Sequence, residues 1–243
     1  MPAFDQAAEI LASARSIVVF TGAGMSAESG IPTYRSGGDA LWTSAHFDRY
    51  ANPDGYREHL PDSYEWYRGR AAAVKAARPN AGHFAIAKLA TVVDELTVVT
   101  QNVDGLHLRA GSTNVVELHG HLREARCAQC ARHLSWDLAP EAPVCDRCGG
   151  MLRPCVVMFE EMLDEGVLDA AREAATHCDL LLSVGTSNLV WPARELPLLA
   201  RDAGARVIIV NTDLWGQPSG EGVLHIQGRA GDVLPSLVAT FKA

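Results

Sequence analysis

Positive charge is in short supply. The 21 lysines and arginines stand against 29 aspartates and glutamates, a formal charge of -8. On average such a chain repels a phosphate backbone, which removes the electrostatic footprint of a nucleic-acid binder and leaves room for a locally basic groove at most. No apolar run approaches the ~18 residues of a membrane span. The first 16 residues carry Asp5 and Glu9 where a secretory leader would need positive charge, so a cytoplasmic protein that engages no membrane is expected. Internal repeats, linkers and low-complexity tracts are also missing. At 243 residues a long multidomain assembly is excluded, and one large domain, or a main domain with inserts, is expected.

What is present suits a globular fold: 48% hydrophobic and 21% charged residues can build a sizeable core. Ile17-Val18-Val19-Phe20 is a short continuous apolar run of the kind found in strands buried on both faces. Similar runs recur at 96–100, 115–118, 180–184, 207–210 and 223–226, separated by helix-length segments at 83–90, 164–177 and 191–203. A first helix is expected over 4–14, and a closing helix over 232–242 with Pro235 in its first turn. This alternation predicts an α/β fold with a parallel sheet covered on both faces. Two stretches interrupt it, 31–79 and 126–152, and read as insertions.

After the first predicted strand, Gly22-Ala23-Gly24-Met25-Ser26-Ala27 fits G-x-G-x-x-A, small residues that let backbone amides approach a pyrophosphate at a helix start. Alone it fits a tight packing turn equally well. Gly30, Ile31 and Pro32 stop the following helix early, which points away from a standard hydride-transfer architecture and toward a loop over a cofactor. Cys127 and Cys130, then Cys145 and Cys148, form two C-x2-C pairs separated by fourteen residues. Four thiolates complete a tetrahedral shell with no open position, so a structural zinc ion is expected ahead of redox cysteines or disulfides. His121 and His133 lie close in sequence, but that ion does not need them. Cys155 and Cys178 read as buried small hydrophobes.

Gly22 to Arg35, Thr100-Gln101-Asn102-Val103-Asp104-Gly105-Leu106-His107 and Glu117-Leu118-His119-Gly120 resemble the signature blocks of the sirtuin family, in the family's order. Further matches at the cysteine pairs, at Gly185-Thr186-Ser187, at Asn211-Thr212 and at Gly228-Arg229-Ala230-Gly231 extend the resemblance over nearly the whole chain. It implies a Rossmann-like parallel-sheet domain (about 1–35, 80–125 and 153–243) with a small domain made of a helical insert (about 36–79) and a zinc ribbon (about 126–152). It also implies NAD as co-substrate and acyl-lysine proteins or peptides as partners. The products would be nicotinamide, free lysine and O-acyl-ADP-ribose.

By that resemblance His119 is the general base that takes a proton from a ribose hydroxyl, and Asn102 orients the ribose and a water. Asp104 holds the nicotinamide carboxamide with the Ile31 backbone, and Tyr34 and Arg35 close over the cofactor. Ser26 with the Gly22, Ala23 and Gly24 amides holds phosphates, while Gln101, Gly185, Thr186, Ser187, Asn211 and Ala230 complete the cofactor contacts. Tyr67 and Arg70 stand at i and i+3 in a segment of helical composition and so share a face. They match the Tyr-x-x-Arg pair of sirtuins that remove succinyl, malonyl and glutaryl groups, a preference expected here over acetyl. Relatives typically carry glycine where Glu160 stands. An NAD-dependent ADP-ribosyltransferase and a non-catalytic zinc-ribbon module that senses NAD are the competing readings.

Overall fold

The computed structural model describes residues 2–33 and 44–241. Among them the strands are, in chain order, β1 (Ser16–Thr21), β2 (Glu95–Thr100), β3 (Val115–Glu117), β4 (Gly120–Cys127), β5 (His133–Ser135), β6 (Leu152–Val156), β7 (Leu180–Val184), β8 (Arg206–Asn211) and β9 (Val223–Gln227). Six of them form a parallel sheet in the order β3-β2-β1-β7-β8-β9, and the other three an antiparallel sheet, β5-β4-β6. Each apolar run identified in the sequence is a strand of the parallel sheet.

The reason is burial on both faces. Along β1, Ile17 and Val19 enter one core while Val18 and Phe20 enter the other, so successive side chains serve opposite layers. The first core is closed by α1 (Pro2–Ser13), α5 (Ala81–Leu89) and α9 (Ala230–Ala239), through Leu11, Ile86, Leu89, Leu234 and Leu237. The second is closed by α7 (Glu165–His177) and α8 (Leu196–Asp202), through Ala171, Ala175, Leu196 and Ala200. Helix starts are fixed locally. Asn80 accepts from the Gly82 and His83 amides at the head of α5, and Asp164 accepts from the Val167 amide at the head of α7.

Two helices depart from expectation. The segment 191–203 opens with a 3-10 turn, Ala193–Glu195, before α8 begins. The closing helix starts at Ala230, earlier than expected, because the Glu28 carboxylate accepts from the Gly231 amide (2.7 Å) and satisfies a first-turn donor. Pro235 therefore sits inside the helix rather than in its first turn.

The insert after the glycine loop supplies α2 (Ser44–Tyr50), α3 (Pro53–Glu58) and α4 (Leu60–Ala76). These lean on the small sheet: Tyr56 donates to the Leu152 carbonyl (2.9 Å), and Tyr50, Tyr56, Tyr67 and Val74 pack with Leu122 and Val156. That sheet reaches beyond 126–152, since β4 begins at Gly120 and β6 ends at Val156. A short helix, α6 (Leu106–Ala110), follows β2. No described helix is long and apolar enough to cross a membrane. In the parallel sheet the strand order runs outward from β1 in one direction and from β7 in the other, so their carboxyl ends flank a topological switch point, where open parallel sheets hold ligands.

Candidate active site

At that switch point opens a cleft of about 1510 Å³, walled on the far side by the insert and the small sheet. Its lining includes Gly22, Ala23, Gly24, Gln101, Asn102, His119, Gly185, Thr186, Ser187, Asn211 and Ala230, together with Tyr67 and Arg70. These residues come from seven separate stretches of sequence. Tyr34 and Arg35 lie outside the described residues.

The glycine loop is fastened to the end of β7. The Gly22 amide donates to the Val184 carbonyl (3.1 Å) and the Gly24 amide to the Gly185 carbonyl (2.8 Å). A Cβ on Gly22 or Gly24 would lie 2.8 Å from backbone of Thr186 or Gly185, and one on Gly185, at φ +61°, only 2.3 Å from the Met25 nitrogen. The small residues thus let two loops touch, and two of the three amides expected to face a phosphate are engaged in that seam.

Asn102 is buried beneath the loop. Its Nδ2 donates to the Gly22 carbonyl (2.9 Å) and to Ser26 Oγ (3.2 Å), and Ser26 in turn donates to Asp104 (2.7 Å), whose other oxygen accepts from the Leu106 amide (2.9 Å). Ser26 and Asp104 do not line the main cleft. With Ile31, Asn102 and Arg70 they line a small pocket beside it, and the Ser26 hydroxyl is committed to Asp104 rather than presented to the cleft. Burial pushes the Asp104 carboxyl above its ordinary range, against the Leu106 and Ser26 hydrogen bonds that pull it down.

His119 follows β3, and its Nδ1 lies 3.1 Å from the Gln101 carbonyl oxygen. A carbonyl only accepts, so Nδ1 carries the proton and Nε2 keeps its lone pair. Burial lowers the pKa of the ring, partly offset by the hydrogen bond to Gln101. On the adenine-facing side expected from the sequence, Gln101 donates to Thr186 Oγ1 (2.9 Å) and Asn211 to the Thr186 carbonyl (2.9 Å), which ties three strand ends together.

Tyr67 and Arg70 do share the cleft face of α4. Arg70 stands over the Trp66 ring, 5.2 Å from its centroid. The Tyr67 hydroxyl donates to the Tyr50 carbonyl (3.0 Å). Glu160 adopts φ +70°, the left-handed region, in which the glycine that the resemblance leads one to expect here would be unstrained. The neighbouring Glu161 is held by Arg153 through two bonds (2.5 and 2.7 Å) and by the Met158 amide (2.8 Å).

Several cleft residues escaped the sequence reading. Trp191, Trp215 and Leu189 are exposed apolar side chains on its rim, and Gln217 donates to the Thr186 carbonyl (3.1 Å). Single aromatics in loops after strands carry no spacing signal; their only clue was position after the apolar runs. His83 is a structural residue: it is fully buried, caps α5 and packs at a tilt against His107, and burial pushes the pair down to about 4 and about 3.

Away from the cleft, the Sγ atoms of Cys127, Cys130, Cys145 and Cys148 all lie within 4.8 Å of one another, with Cys127 to Cys148 at 3.5 Å and Cys130 to Cys145 at 3.9 Å. None is in a disulfide. Four sulfurs ~2.3 Å from a central ion in a tetrahedron would stand ~3.8 Å apart, so the set fits a structural zinc.

A Rossmann-like α/β protein carrying a zinc-ribbon sheet is therefore the class that fold and site define. The model of the Sir2 family matches residues 22–192, and the chain belongs to that family. It is 46% identical over 240 residues to NAD-dependent protein deacylase 2 of Pyrobaculum aerophilum, covering 97% of this chain and 94% of that one. Among solved structures it resembles a Sir2 homologue in complex with NAD (TM-score 0.88, 39% identity, 97% and 92% of the two chains). It also resembles a Sir2 complex with a p53 peptide and NAD+ (TM-score 0.84, 31% identity, 95% of each).

Proposed function

We propose that this chain is an NAD-dependent protein-lysine deacylase that acts on acyl-lysine proteins or peptides and prefers acidic acyl groups, succinyl, malonyl or glutaryl, to acetyl. The observation that carries the reading is His119, a neutral imidazole with a free Nε2 on the wall of the cleft that also gathers the glycine loop and the ends of β7 and β8.

When bound, NAD supplies a ribose carbon from which nicotinamide can leave. The residues of the chain do the rest. His119 Nε2 accepts the proton of a ribose hydroxyl, a task suited to a base that is uncharged at neutral pH. Asn102, its Nδ2 already committed, would have its Oδ1 left to orient the ribose and a water. Ser26 fixes Asp104 in the side pocket, where the carboxyl side chain and the Ile31 backbone hold the nicotinamide carboxamide. The Ala23 amide and the narrow loop seam seat the phosphates, with Thr186, Ser187, Asn211 and Ala230 along the adenosine. In this reading the parallel sheet supplies the cofactor wall, and the insert with its ribbon supplies the acyl-lysine wall.

The acyl preference rests on Arg70. A half-buried guanidinium in the cleft wall can bind a carboxylate bidentately, while Tyr67, its proton held by Tyr50, shapes the channel. A charge-assisted contact of about 1.5–3 kcal/mol corresponds to roughly ten- to a hundredfold in kcat/KM. The test is a matched panel of succinyl-, malonyl-, glutaryl- and acetyl-lysine peptides with NAD, on wild type and Arg70→Met. Nicotinamide and deacylated peptide should appear only with NAD, and Arg70→Met should lower succinyl turnover by that factor while sparing acetyl. Equal losses on both would end the acidic preference. An acceptor gaining the mass of ADP-ribose in place of losing its acyl group would overturn the deacylase reading.

A further inference from the structure

The outer face of the small sheet carries a second cluster of metal-ligand side chains, unrelated to the four ribbon cysteines. His121 and Glu124 project from β4, His133 from β5 and Cys155 from β6. Ligand atoms of His121, Glu124 and Cys155 all lie within 4.8 Å of one another. His133 Nδ1 stands 3.0 Å from Glu124 Oε2 and 3.6 Å from Cys155 Sγ. The sequence reading of Cys155 as a buried small hydrophobe does not hold, since it is only half-buried beside these groups.

We propose that this cluster is a second transition-metal site, in which Cys155, His121, Glu124 and His133 bind a zinc-class divalent ion. The geometry is close to what such an ion needs. With ~2.3 Å to sulfur and ~2.0–2.1 Å to nitrogen or oxygen, a tetrahedral shell sets sulfur and nitrogen ~3.6 Å apart and nitrogen and oxygen ~3.3 Å apart. The observed 3.6 and 3.0 Å lie near these values, while His133 stands outside the mutually close trio of His121, Glu124 and Cys155 and must turn toward it to complete the shell. His121 Nδ1 is buried and has no hydrogen-bond partner, a state that a metal ion on that nitrogen would resolve. A thiolate with imidazoles selects zinc, cobalt or copper(I) over magnesium or calcium. One thiolate and one carboxylate balance the charge of a dication. Metal binding here would join all three strands of the small sheet.

The experiment is metal stoichiometry on the intact protein. Wild type already holding its ribbon zinc is equilibrated with buffered zinc, and metal per chain is measured by mass spectrometry alongside calorimetric titration. Two equivalents are expected, falling to one in Cys155→Ser and in His121→Gln, with the second affinity reduced at least a hundredfold. Because removal of an outer partner alone costs 10–100-fold, a smaller effect would demote these groups from ligands. Cobalt added to protein whose ribbon keeps its zinc should show thiolate charge-transfer absorption that Cys155→Ser abolishes, while the retained equivalent of zinc verifies that the ribbon stays folded. A single equivalent in wild type, or a second one that survives both substitutions, overturns the proposal. Neither result bears on deacylation.

Discussion

Gly185→Ala puts the seam between the two halves of the parallel sheet under a defined strain. The new methyl would stand 2.3 Å from the Met25 nitrogen and 2.5 Å from the Gly24 carbonyl carbon, backbone atoms that cannot swing aside as a side-chain tip can. The residue also sits at φ +61°, where an L side chain costs about 1–2 kcal/mol. Overpacking typically adds about 1–3 kcal/mol, and the lower entropy of alanine in the unfolded chain returns about 0.4–1. A net loss of about 2–4 kcal/mol should lower the melting temperature by about 4–16 °C, at about 2–4 °C per kcal/mol for a chain of this length. The loops can relieve part of the clash by parting, so NAD affinity should fall further than stability alone requires. Gly69→Ala is the control. That glycine lies inside α4 with no atom within 4 Å of the added methyl, and alanine there should stabilise by about 0.5–1 kcal/mol. Urea unfolding and calorimetric NAD titration of both variants check the comparison. If Gly185→Ala unfolds with the wild type and binds NAD as tightly, the close-packed seam is not what requires glycine.

Two further outcomes follow from the site. Because burial lowers the His119 pKa below the ordinary value of an imidazole, kcat/KM should fall on acidification, as the ring takes a proton, with the midpoint of that fall below pH 6.5. An acid limb centred at or above 6.5 would contradict a desolvated imidazole. Stripping the ribbon zinc should remove on the order of 10 kcal/mol from a unit whose core is little more than Tyr64, Leu134, Leu152 and the cysteines, so that the ribbon opens and activity is lost. Trp136, which packs 5.6 Å from Tyr64, reports it: the emission change should vanish in Trp136→Phe and reverse with added zinc, whereas an active metal-free protein would refute the structural role.

The parallel sheet could be read from sequence because strands buried on both faces write unbroken apolar runs, as Ile17 to Phe20 do. The four ribbon cysteines were legible from spacing alone. The small sheet was not: β4 reads Gly-His-Leu-Arg-Glu-Ala-Arg-Cys, and a register shift between Gly120 and Ala125 breaks the period that would have betrayed its inward Leu122 and Ala125. Partners distant in sequence were equally hidden. Nothing in Tyr67 announces that Tyr50 takes its proton, and nothing in the glycine motif says that two of its amides close on the end of β7. The second cluster is spread over three strands, so no local pattern joins His121 to Cys155.

The placement of β1 between β2 and β7 has a consequence for how the molecule comes into being. Its β7-side contacts reach across 164 residues, from Arg15 to Asp179, so that edge stays open until most of the polypeptide has been synthesised. A nascent or truncated product ending before residue 180 would hold the glycine turn, the imidazole and the ribbon yet have no groove for them to face. Competence therefore arrives late and all at once, and partial chains are silent by construction.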